Sequence, residues 1–106
     1  MDMLVIDQTQ NGSAVETSVG DSFQLKLAEN PTTGYRWQLR TDVAPALRLV
    51  QESFEASGSA PGGAGARCWS FAADHPGSIE IRLELRRSWQ PQPANSFGVT
   101  VNVKAR

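Results

Sequence analysis

The chain has 106 residues, 40% hydrophobic and 20% charged, and a formal net charge of -1; that is the size of one globular domain over 1–106, which removes roughly 65% of its unfolded surface from water without metal or disulfide support. Its single cysteine excludes an internal disulfide bridge, and interspersed acids and bases exclude the basic face a nucleic-acid binder needs to neutralise phosphates. Apolar runs stay far below the ~20 residues that cross a bilayer, and Met1-Asp2-Met3-Leu4 lacks a signal-peptide pattern, so a soluble domain with no membrane partner is expected, its compartment left open.

In chain order, residues 3–7 and 14–19 read as short strands, divided by Asn11-Gly12, a tight turn in which both residues tolerate positive φ. Phe23, Leu25 and Leu27 alternate within 22–29, and Tyr35, Trp37 and Leu39 within 35–41. Val43-Ala44-Pro45 is placed to start a short helical turn, and Leu47, Leu49 and Gln51 then share one face of a strand over 47–54. Trp69, Phe71 and Ala73 alternate within 67–74, after which Asp74-His75-Pro76-Gly77 breaks the run as a surface turn. The clearest period-two patterns come last. Ile79, Ile81, Leu83 and Leu85 oppose Glu80, Arg82, Glu84 and Arg86 in 78–86, and Phe97, Val99, Val101 and Val103 line one side of 96–104. These two strands are expected to pair. Seven or eight short strands at this spacing predict an all-β, antiparallel sandwich or barrel.

Catalytic chemistry finds little to work with. His75 lies in the surface turn, and Cys68 sits on the strand face opposite Trp69. A pair formed by them would lack an orienting third group, and one His with one Cys makes no closed zinc shell without acids that here alternate with bases. The glycines at 62, 63 and 65 are followed by no Lys-Ser/Thr, so they do not read as a phosphate cradle. Neither an enzyme nor a cofactor or metal is expected.

Three connections stand out instead. In 30–34, Pro31 fixes its own φ and pushes Asn30 out of the helical region, while Gly34 is free to take positive φ, so Thr32 and Thr33 are held at a stiff tip. Residues 57–66 are Gly/Ala/Ser-rich, and small side chains let a backbone approach another backbone closely. In 87–95 the strand ends before Gln90-Pro91-Gln92-Pro93, which puts Trp89 on a stiffened loop as a protein-binding hot spot, the alternative being a lid folded on the sandwich edge. Arg87 is placed to bridge to the loop backbone or to an acid on a partner, and Trp37 belongs to the core.

Asn30-Pro31-Thr32-Thr33-Gly34-Tyr35, the glycine-rich Gly62-Gly63-Ala64-Gly65 about thirty residues later, and Arg87-Ser88-Trp89 after a strand resemble the chagasin family of cysteine-peptidase inhibitors, whose signatures are NPTTGY/F, GxGG and RPW/F. The spacing of all three matches over nearly the whole chain. Two departures stand out: Ala64 where a third glycine is usual, and Ser88 in place of proline, which removes one fixed φ before Trp89. The resemblance implies an immunoglobulin-like sandwich whose three loops wedge, as a monomer suffices to do, into the cleft of papain-like cysteine peptidases. It further implies that Thr32 and Thr33 sit at the peptidase's catalytic Cys and His. Residues 62–66 would pair along the non-primed side, and Trp89 would pack on the primed side. A β-sandwich adhesion or carbohydrate-binding module, with Trp89 and Trp69 as stacking platforms, is the alternative, and the inward parity of Trp69 counts against it.

Overall fold

The computed structural model describes residues 4–56 and 65–106. Alternating apolar residues produce eight strands among the described residues: β1 (Leu4–Ile6), β2 (Ala14–Ser18), β3 (Ser22–Glu29), β4 (Arg36–Leu39), β5 (Leu47–Ala56), β6 (Gly65–Ala73), β7 (Gly77–Arg86) and β8 (Asn95–Lys104). They form two four-stranded sheets, ordered β1-β3-β6-β5 and β2-β8-β7-β4. Period-two alternation gives each sheet one apolar face, and the two faces meet. Phe23, Leu25 and Leu27 of β3, Trp69 and Phe71 of β6, Ile81 and Leu83 of β7, and Val99 and Val101 of β8 are all withdrawn from water. Phe23 and Phe71 stack with ring centroids 5.4 Å apart. Trp37 joins this core, as expected, and Trp69 is fully buried within it.

The expected pairing of the last two strands is present and antiparallel, with Ile81 opposite Val99 and Leu83 opposite Phe97. The first two strands behave differently. β1 lies parallel to β3 and β2 parallel to β8, each at the outer edge of a different sheet. The chain changes sheets between them through a 3-10 turn, Gln8–Gln10, capped by Asp7, and then through Asn11-Gly12. Only Gly12 takes positive φ there (81°), whereas Asn11 stays at -56°. This turn joins two sheets rather than closing a hairpin, so the mirror-image geometry that needs two such residues is not required.

Around 43–47 the chain closes one turn, with Leu47 N–H donating to Val43 O at 3.0 Å, and goes straight into β5 instead of continuing as helix. Within β5 the expected face is interrupted. Leu49 is opposite Phe71, but Gln51 is opposite Ser70, so Val50 is an extra residue and the strand carries a β-bulge. Gln51 therefore leaves the face of Leu47 and Leu49, and of the three only Leu47 is buried. Past the bulge, Glu52 and Phe54 inherit the inward register, opposite Trp69 and Arg67.

Candidate functional site

At one end of the sandwich β3 runs into β4 through residues 30–34. Asn30 is extended (φ -119°, ψ 101°), as a residue before proline prefers, and its side chain caps the 3-10 turn Pro31–Thr33. Asn30 Oδ1 accepts from Thr32 N–H at 3.1 Å and from Thr32 Oγ1 at 2.7 Å, while Thr33 Oγ1 donates to Asn30 O at 2.8 Å. Gly34 closes the turn at φ 81°, its N–H bonded to Pro31 O at 3.1 Å. Thr32 and Thr33 are left exposed at the tip, and most of the polar groups that hold them belong to the turn itself.

The segment after β7 folds onto this turn. Arg87 Nε–H donates to Thr33 O at 3.0 Å, and the guanidinium lies 4.1 Å from the Tyr35 ring centroid and 5.6 Å from that of Trp89. Of the two bonds open to Arg87, the structure thus forms the one to the loop backbone. Trp89 is 68% exposed and packs on Gly34, where an added Cβ would stand 3.2 Å from Trp89 Cη2. A side chain on residue 34 would move the indole. Tyr35 OH donates to Gln90 Oε1 at 3.4 Å, and Arg86 Nη2 donates to Pro91 O at 2.8 Å, which fastens the far arm. Trp89 rests on another loop, so it does not cap the core.

Gly62, Gly63 and Ala64 lie outside the described residues. Gly65 opens β6, opposite Glu29 on one side and Ala56 on the other. A Cβ there would collide with Glu55 O and with the Phe54 ring, so this glycine is demanded by the sheet itself. Gly65 thus lies between Glu29, the residue before Asn30, and Ala56, the other root of the glycine-rich connection.

Glu29 is the site residue that motif reading misses. Its side chain is 1% exposed. Oε1 accepts from Trp37 N–H at 2.7 Å and Oε2 from Arg67 Nε at 2.8 Å, while Arg67 Nη1 reaches Glu52 Oε2 at 3.2 Å. Trp37 Nε1 donates to Ala28 O at 2.9 Å. One buried carboxylate thereby ties the start of β4 to β6, and through Arg67 to β5, directly beneath the 30–34 turn. The signal was parity: Glu29 continues the inward row of Phe23, Leu25 and Leu27, and Arg67 that of Phe71 and Trp69.

His75 lies on the exposed β6–β7 turn, at the end of β7 away from Arg86. Cys68 is buried in β6, and burial pushes its thiol above the ordinary value, with Glu55 adding to the shift. Neither residue belongs to the loop end. Among the described residues no group of three His, Cys, Asp or Glu side chains is arranged to hold a metal, and no helix is long and apolar enough to cross a membrane.

Residues 16–101 match the family described as Chagasin family peptidase inhibitor I42, more than three quarters of the chain. The chain belongs to this family. Its chagasin resemblance extends to a curated relative, chagasin of Trypanosoma cruzi, 24% identical over 105 residues that cover 94% of this chain and 96% of the relative. The fold matches that of the cysteine protease inhibitor EhICP2 from Entamoeba histolytica with a TM-score of 0.86, at 21% identity and 96% coverage of both chains. PbICP-C, solved in complex with falcipain-2, matches with a TM-score of 0.61 at 16% identity, covering 97% of this chain and 99% of that one. A chagasin-family chain is a peptidase inhibitor, not an enzyme. The full burial of Trp69 removes one of the two stacking platforms that a carbohydrate-binding reading needs.

Proposed function

We propose that this inhibitor stops papain-like cysteine peptidases by filling their active-site cleft with the loop end of a single domain. Thr32 and Thr33 meet the catalytic Cys and His, and residues 62–66 run along the non-primed side. Trp89 packs on the primed side. Asn30, Pro31 and Gly34 fix the central tip, and Arg87 positions Trp89 against it. Binding is reversible, because the interface needs only complementarity and no group on the inhibitor reacts.

The observation that carries this reading is the contact between loops. Arg87 bonds to Thr33 O and Trp89 lies on Gly34, so a stiff uncharged tip and a large exposed indole form one edge before any partner arrives. A preformed edge loses little conformational freedom on docking, so more of its contact energy becomes affinity. Pro31 offers no backbone N–H, and the N–H groups of Thr32, Thr33 and Gly34 are bonded within the turn, so the tip lacks the free backbone N–H donors a bound substrate presents.

Titration of papain with the purified chain tests this. Stoichiometric loss of activity, with the chain uncut on gels, is the expected result. Full papain activity at micromolar excess, or steady cleavage of the chain within 30–34, would exclude occlusion.

A further inference from the structure

Between the 30–34 turn and residue 88 lies a cleft of about 280 Å³ whose lining includes Tyr35, Arg36, Gln38, Arg86 and Ser88. Strand register places Arg36 directly opposite Arg86 in the β4–β7 pair. Two like charges at opposed positions destabilise a sheet, so the fold gains nothing from a guanidinium at position 36. Arg86 is satisfied, by Glu84 at 2.8 Å and by Pro91 O. Glu84 is engaged twice, by Arg86 and by Arg40 at 3.4 Å, and Glu29, which also lines the cleft, is occupied by Trp37 N–H and Arg67. Among the described residues Arg36, Gln38 and Ser88 make no side-chain hydrogen bond or ion pair, and all three are exposed.

We propose that this cleft is a carboxylate subsite that receives one Asp or Glu side chain from the rim of the bound peptidase's active-site cleft. Arg36 supplies the charge and a planar fork that matches a carboxylate, and Gln38 and Ser88 supply neutral donors. Among the described residues only one guanidinium lining the cleft is unspent, and the Glu29 carboxylate lines it too, so the subsite fits a single negative charge and not a polyanion. Ser88 stands where the family signature has proline, which carries no donor, and Arg36 lies outside all three signatures. The subsite is therefore a feature of this chain that selects among peptidases. It rests on the loop end being the peptidase-binding surface.

Wild type and Arg36→Gln are titrated against a panel of papain-like peptidases at ionic strengths of about 0.01 M and about 0.15 M. Against the peptidases that wild type inhibits best, Arg36→Gln is expected to be about tenfold weaker, the effect of one charge-assisted hydrogen bond, with a smaller gap at the higher salt. Neutralising the matching acid on such a peptidase should cost wild type the same factor and cost Arg36→Gln nothing. The melting temperature of Arg36→Gln should equal or exceed that of wild type, because the opposed charges are relieved. A ratio within about twofold for every inhibited peptidase overturns the subsite while leaving occlusion intact. A clear fall in melting temperature overturns it too, since Arg36 would then serve the fold. A wild-type chain that inhibits no member of the panel removes occlusion itself, and the subsite with it.

Discussion

Replacing Trp89 by alanine removes the most exposed of the large hydrophobic side chains among the described residues. A tryptophan carries on the order of 250 Å², and with 68% of it open to solvent about 170 Å² is left for a peptidase to cover, about 4 kcal/mol at about 25 cal/mol per Å². Interfaces recover only part of such area, so a loss of about 2 kcal/mol, about thirtyfold in the inhibition constant, is expected. The same arithmetic bounds the effect on folding. The covered third, lying on Gly34 and Arg87 and not in the core, is worth at most about 2 kcal/mol, and about 1 kcal/mol once the compactness of the unfolded chain is counted. Inhibition of papain followed with a fluorogenic substrate gives the first number, and thermal unfolding by circular dichroism gives the second. A variant that melts more than about 8 °C lower yet inhibits as well as wild type would refute the reasoning, since Trp89 would then hold the fold and not the partner.

Gly34→Ala should cost about 1 kcal/mol of stability because of its φ of 81°, and about tenfold in inhibition because the new methyl displaces the indole; unfolding and inhibition measured together check both. Glu29→Gln should lower stability by about 3 kcal/mol in urea unfolding, because Arg67 loses its shortest ion pair at a site with 15% of its side chain exposed. Cys68, buried and with its thiol pushed up by that burial, should be alkylated by iodoacetamide far more slowly at neutral pH in the native chain than in urea, as mass spectrometry reads directly.

Alternation makes β3, β7 and β8 legible, because a half-buried strand must show its period in every residue. Pairing direction carries no such mark, since a parallel edge strand alternates as an antiparallel one does; the placement of β1 and β2 in separate sheets is set by the far partners they meet. The bulge at Val50 escapes for a related reason. One inserted residue shifts the parity of all that follow, and the shift shows only against the β6 register. At the site, the NPTTGY signature and Trp89 ahead of its two prolines are visible in the chain, whereas the Arg87–Thr33 bond spans 54 residues and depends on β4 pairing with β7. Glu29 and Arg67 were visible only as charged residues in apolar rows, and it takes the structure to show that each neutralises the other.

The bonds within 30–34 have a consequence for engineering. Asn30, Pro31, Thr32, Thr33 and Gly34 are fastened mainly to one another, so this pentapeptide should keep its shape when transplanted between two strands of another scaffold. The arm bearing Trp89 lacks that independence. It leans on Thr33 O and Gly34, and on the Tyr35 hydroxyl, for its pose, and a graft carrying the indole alone would arrive without its support.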